Sequence, residues 1–233
     1  MISTADTLLI FRQRANKLHS QDYDNIPNWS VVKLINKAQL QIIRRAIMGR
    51  NLSQDGDEET RIRIDDLQIL LTPPKRMNVT PKSTYALSDQ LPVDYLYYKT
   101  MIPYCKKDTC SNVRLKSMLE EEANAQMYLF DELKKPSFEW RETFHTLAQN
   151  RIKIYTNKDF IVNYIELIYY RLPKQFDVNG YIHTDGRNSS DSPLEFKRDI
   201  CELIIDEAVS IAAADLELGN IYQTSTQRVD KNN

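Results

Sequence analysis

Glycine is scarce in this chain, with five residues in 233: Gly49, Gly56, Gly180, Gly186 and Gly219. No two have the spacing of G-x-G-x-x-G or G-x-x-x-x-G-K, which excludes the two commonest backbone cradles for phosphate and the Rossmann and P-loop chemistry that uses them. Cysteine is rarer still, with three residues. Cys105, Cys110 and Cys201 make an odd count, which reads as reduced thiols in a cytosol. Met1 to Ile10 lacks a basic start followed by a long apolar run, so no secretory leader is expected. No stretch approaches the ~18 apolar residues of a membrane span. A basic excess is also missing. The 31 Lys and Arg face 32 Asp and Glu, a net charge of −1. Tight binding of nucleic acid through phosphate neutralisation is therefore not expected, although a weakly charged wall would let DNA slide past. The hydrophobic share of 42% includes 13 tyrosines, so the chain is somewhat poor in core residues. That suits a subunit buried partly by its neighbours.

The pattern that remains is α+β: an N-terminal helical bundle, a central antiparallel β-sheet region and a C-terminal amphipathic helix with a flexible tail. The regions are residues 1–73, 74–191 and 192–233, read as one compact domain with arms. In the first, Thr4-Ala5-Asp6 precedes Leu8, Leu9 and Phe11 as a short capped helix. Asn28 caps a longer helix over Trp29–Met48, with Val31, Ile35, Ala38, Ile42 and Ala46 at helical spacing. Gly49 stands where a left-handed C-cap residue belongs, and a third helix is expected over Glu59–Leu71, stopping before Pro73-Pro74. In the second region, residues 83–173 read as sheet. Strands are expected over Tyr95–Tyr104 and Asn112–Leu119, separated by a polar break at Lys106-Lys107-Asp108-Thr109. Ile152–Tyr155 and Phe160–Leu172 flank the turn Asn157-Lys158-Asp159 and read as a hairpin. Between them, Glu120–Leu133 holds a short helix and the stretch after Pro136 is irregular. Asn179–Ser192 is a loop. Ser192-Pro193-Leu194-Glu195 fits a capping box that opens a helix through Phe196, Ile200, Leu203, Ile204, Ala208, Ile211 and Ala212 to Leu218-Gly219.

Side chains able to do chemistry are few and dispersed. His19, His145 and His183 lie in different regions, none with a second ligand at metal-binding spacing, and each reads as structural or exposed. Cys105 and Cys110 flank the polar break and could face each other across it. A zinc site needs about four ligands and no second Cys pair exists, so plain thiols are favoured over a disulfide or a metal. Cys201 beside Ile200 reads as packing. Asp55, Asp57, Glu58 and Glu59 resemble the first half of a calcium loop but lack its closing Glu. Arg44, Arg45, Arg50, Arg61 and Arg63 could meet phosphates, but pairing with that acidic run is the simpler reading. Five tyrosines fall between Tyr85 and Tyr104. They read as half-buried sheet residues, with a protein interface as the alternative. No catalytic, cofactor-binding or metal-binding residue is assigned, and no enzyme activity is expected.

The order of several segments carries a resemblance. These are Val32-Lys33-Leu34-Ile35-Asn36-Lys37-Ala38-Gln39, Asp65-Asp66-Leu67, Leu91-Pro92-Val93-Asp94-Tyr95-Leu96, Ile165 to Pro173, Asp199-Ile200-Cys201-Glu202-Leu203-Ile204 and Glu207-Ala208-Val209. Together, over roughly 5–218, they resemble head-to-tail connector or tail ring proteins of crAss-like, short-tailed phages of Bacteroidota. The resemblance implies a virion protein at the head–tail interface, assembled in the host cytoplasm into a homo-oligomeric, typically twelvefold ring. Its implied partners are the portal protein, neighbouring tail ring proteins and double-stranded DNA, which passes without sequence-specific binding. No membrane is involved. Twelve helices side by side at ~10 Å enclose a circle leaving roughly 28 Å clear, wider than B-form DNA. A DNA-binding or regulatory protein using the 29–48 helix is the alternative. The loops around 50–58 and 174–191 and the tail 220–233 are expected to contact neighbouring rings. Deleting 220–233 is expected to leave the fold intact and lower particle yield and infectivity. Unchanged yield and infectivity would refute that role.

Overall fold

A computed structural model describes residues 2–15, 26–48 and 67–215. The molecule is mixed α+β and forms two compact units. One comprises Leu70–Leu172. The other joins the described residues up to Ile69 with those from Pro173 onward.

The discontinuous unit is built on α1 (Thr4–Ala15), α2 (Asn28–Met48) and α4 (Arg198–Asp215). Ser3 caps α1: its hydroxyl accepts from the Asp6 N–H at 3.1 Å and donates to the Asp6 carboxylate at 2.7 Å. Val31, Ile35, Ala38 and Ile42 of α2 are buried as their spacing requires, and Val32 and Ile43 widen the stripe. Both α1 and α2 contact α4, whose Cys201, Ile204, Ile205, Ala208, Val209, Ala212 and Ala213 are buried. Charged groups fix the contacts. Arg14 meets Asp206 at 3.0 Å, and Arg45 grips both oxygens of Glu207 at 2.7 and 3.0 Å.

The helix expected from Pro193 begins instead at Arg198. Ser192 does not cap it, because its backbone exchanges two hydrogen bonds with Asp177. Glu195 accepts from the Lys174 N–H at 3.0 Å, and Leu194 and Phe196 are buried in non-helical chain. Tertiary partners for Ser192 and Glu195 outweigh the local capping pattern. Asn36 and Phe176 exchange two further bonds, at 2.8 and 2.9 Å, pinning this segment onto α2.

The continuous unit is a curled eight-stranded sheet: β1 (Lys75–Pro81), β2 (Tyr85–Gln90), β3 (Tyr95–Lys107), β4 (Cys110–Arg114), β5 (Lys116–Leu119), β6 (Glu142–Ala148), β7 (Arg151–Tyr155) and β8 (Ile161–Arg171). The order is β4-β3-β8-β1-β2-β7-β6-β5. All pairs are antiparallel except β5–β6. The two edge strands are consecutive in sequence, with Leu115 alone between them. A flat sheet of this width could not place them so; the sheet must curl until its edges meet. Leu115 is buried, and its N–H donates to the Pro103 carbonyl at 3.1 Å. The core is Met77, Ala86, Met101, Cys105, Ile152, Ile154, Val162, Ile165, Leu167 and Tyr169. A short helix α3 (Ala125–Phe130), preceded by a 3-10 turn at Glu122–Asn124, lies over Phe144 and Tyr155.

Two expectations for this unit are corrected. The Ile152–Tyr155 and Phe160–Leu172 runs are strands but not a hairpin. β7 pairs with β2 and β6, and β8 pairs with β1 and β3. The hairpin β1–β2 lies between them. It was hidden because Lys75–Val79 reads as polar and Pro81 breaks the run. The expected irregular stretch after Pro136 contains strand β6. Of the expected 59–71 helix, residues 59–66 lie outside the described residues. Leu67 is helical, and a 3-10 turn at Gln68–Leu70 and a bridge from Leu71 to Tyr170 follow it before Pro73.

Leu115→Ala is expected to cost about 2–5 kcal/mol, measured by chemical denaturation. An unchanged midpoint would show that the edges close without it.

Candidate functional site

Three turns meet at one end of the curled sheet: Lys82–Thr84 between β1 and β2, Asp108-Thr109 between β3 and β4, and Thr156–Phe160 between β7 and β8. They surround a cavity of about 510 Å³. The Thr84 carbonyl accepts from the Thr156 and Asn157 N–H groups at 3.0 and 3.1 Å, binding the first turn to the third. Lys107 meets Asp159 at 2.5 Å, binding the second to the third, and the Phe138 N–H donates to the same carboxylate at 2.7 Å. Burial alone would raise the Asp159 carboxyl, but the Lys107 hydrogen bond and the Phe138 N–H outweigh it and hold the group below the usual range. Asn157 and Lys158 both lie at positive φ, 48° and 63°, which sharpens the turn. Lys82, Lys106, Lys107 and Lys158 line the cavity with Asp108, Asp159 and the apolar Phe160 and Ile161.

The short helix α3 and the loop after it, which is tied to the mouth through Phe138, expose large apolar side chains within one stretch of chain. Phe130 is 84% exposed, Leu133 93% and Trp140 81%, with Met127 and Met118 also exposed. Just before α3, Glu122 is held by Thr146, by Lys153 at 2.6 Å and by Tyr155 at 3.1 Å. Phe144 stacks on Tyr155 with centroids 4.5 Å apart. The support is ordered while its outer side chains face solvent.

The five tyrosines from Tyr85 to Tyr104 lie in strands β2 and β3. Tyr104 and Tyr164 stack at 4.5 Å, Arg76 lies 3.9 Å from the Tyr164 ring and Arg114 5.3 Å from the Tyr104 ring. The Tyr104 hydroxyl donates to Glu166 at 2.9 Å. Cation–π contacts thus run across four adjacent strands. Cys105 and Cys110 do not face each other. Cys105 opposes Val113, and Cys110 opposes Lys107. Both are free thiols, Cys105 buried and pushed up to about 12 by that burial, and Cys110 exposed. Cys201 is packed, its thiol donating to the Phe196 carbonyl at 3.4 Å. Arg45 pairs with Glu207 of α4, correcting the expected pairing with the acidic run; Asp55, Asp57, Glu58, Glu59, Arg50, Arg61, Arg63 and His19 lie outside the described residues.

His183 meets the Asp177 carboxylate at 3.0 Å. Asp177 also accepts from the Tyr181 hydroxyl at 2.6 Å and from the Val178 and Ser190 N–H groups at 2.9 and 3.0 Å. These donors together outweigh burial and hold the carboxyl low. The arrangement organises the 177–192 loop. His145 lies inside the curled sheet. Its Nδ1 is 2.7 Å from the Ser117 hydroxyl, its ring is 5.2 Å from Tyr98, and its buried Nε2 has no hydrogen-bond partner. Among the described residues no group of three or more metal-ligating side chains forms.

No family model matches this chain, and no curated protein matches its sequence. No described helix is long and apolar enough to cross a membrane.

The cavity escaped the sequence reading although two of its turns were recognised as turns. Their lysines are about fifty residues apart and read as solvated breaks; only the strand order brings them together. The exposed apolar stretch did leave a signal: Met127, Phe130, Leu133 and Trp140 fall in a segment too short to bury them all.

Burial pushes the His145 imidazole down from 6.5 to about 4. In the unfolded chain it protonates near 6.5, so between that pH and about 4 the unfolded state binds more protons. Stability therefore falls as pH drops. The expected loss is about 2 kcal/mol between pH 7 and 5, measured by urea midpoints. His145→Gln should remove most of this slope. The same slope in the variant would refute the assignment.

Proposed function

We propose that this chain is a structural virion protein that assembles into a ring, dodecameric in this reading, joining head to tail and forming part of the DNA passage channel. The portal protein and neighbouring tail rings are its partners. The helices of residues 1–73 form the bundle of the subunit together with the C-terminal helix packed on them, and the tail 220–233 serves as an arm. The exposed Phe130, Leu133 and Trp140 carry the reading. Large apolar side chains exposed within one short stretch of chain favour a protein partner, and covering each contributes about 1.5–3 kcal/mol. The near balance of charge suits a wall past which DNA slides. The order of segments that resembles phage connector and tail ring proteins adds to this. The bidentate Arg45–Glu207 pair weighs against the DNA-binding alternative, because it ties up one arginine of the 29–48 helix.

Combined Phe130→Ser, Leu133→Ser and Trp140→Ser substitutions are expected to alter stability by less than about 0.5 kcal/mol per site and to abolish assembly. Sedimentation of the chain with its portal protein reads the assembly, and a melt reads the stability. Assembly equal to wild type would refute the role of this surface. Tight DNA binding with a steep salt dependence would favour the alternative.

A further inference from the structure

The cavity at the mouth of the curled sheet has a charge balance and a bracing that the ring reading does not use. Four lysines and two aspartates open on it. Lys107 is neutralised by Asp159 at 2.5 Å. Lys82, Lys106 and Lys158 form no ion pair among the described residues, and Asp108 offsets only one of them. Among the lining side chains the surplus is two positive charges, with Glu139 acting on Lys107 from outside the lining.

The space is also built in advance. The Thr84 carbonyl, the Lys107–Asp159 pair and the Phe138 N–H tie its three turns to one another and to the loop before β6. A ligand entering would not have to order these turns, which lowers the cost of binding. The volume of about 510 Å³ lies within the range of small-molecule sites and exceeds what an inorganic ion fills. Phe160 and Ile161 supply an apolar flank beside the lysines.

We propose that this cavity binds a phosphate ester, with Lys82, Lys106 and Lys158 holding the phosphate and the organic part resting against Phe160 and Ile161. A phosphate monoester carries roughly −1.5 to −2 charges and three acceptor oxygens, which matches the surplus. A single carboxylate would leave half of it unbalanced. Lysine ammonium groups are compact donors that serve phosphate without bidentate geometry. The ester can come from a free nucleotide or from the backbone of a nucleic acid strand. The site lies within one compact unit and does not depend on the chain forming a ring.

The test is NMR titration of the full chain with inorganic phosphate, adenosine monophosphate and a short DNA duplex in turn, repeated on the Lys82→Ser, Lys106→Ser, Lys158→Ser variant. These lysines are exposed or at turns, and a melt confirms that the variant folds. The expected result is that adenosine monophosphate shifts the amides of 82–84, 106–108 and 156–160, binds about tenfold tighter than inorganic phosphate, a gain of roughly 1.4 kcal/mol, and is not bound by the variant. Duplex binding at the same amides, with a salt slope that falls by about one per lysine removed, assigns the ester to a strand. Silence with duplex assigns it to a free nucleotide. No shift with any of the three, shifts elsewhere, or equal binding by the variant overturns the proposal.

Discussion

The architecture of the Leu70–Leu172 unit depends on one covalent constraint. The strands at opposite edges of the sheet are neighbours in sequence, with only Leu115 between them. A single residue reaches less than ~4 Å, so the sheet closes on itself or the chain cannot make both pairings. Closure sets an inside and an outside. The inside takes Leu115, Cys105, Ile154 and Ile165, and also a histidine whose Nε2 goes unpaired. The outside takes the Tyr104–Tyr164 stack with its arginines. Closure also gathers the three turns at one end, which is why lysines far apart in sequence share one cavity.

The features with functional potential sit in different places and call for different physics. The stretch from Met127 to Trp140 exposes apolar area, which in the proposed reading a partner covers. Its support, from the Glu122 hydrogen bonds to the Phe144–Tyr155 stack, holds that area in place. The cavity at the turns offers charge. Neither requires a reactive side chain. Among the described residues the histidine held by a carboxylate is His183, and it spends that contact on a loop whose Asp177 already accepts from three further donors.

Much of this was legible in the sequence where local pattern and tertiary demand agree. The α2 stripe appeared where its spacing put it, and β3 formed over the aromatic and β-branched run after Tyr95. The sequence misled where distant partners outbid local preference. Ser192 and Glu195 match a capping box, yet their groups bond to Asp177 and Lys174. Asn157-Lys158 turns tightly between two good strands, yet those strands are parted by a hairpin whose first half looks polar. Strand order is a property of the whole sheet, so the cavity, which exists only because of that order, had no local signature.

We propose that this chain works by self-association through the exposed apolar surface of the 127–140 stretch. Imaging purified virus particles at subunit resolution tests it most directly. The account predicts a closed ring of identical copies between portal and tail, with Phe130, Leu133 and Trp140 buried at subunit contacts. Particles without the chain, or a chain present as isolated monomers with those side chains in solvent, would contradict it.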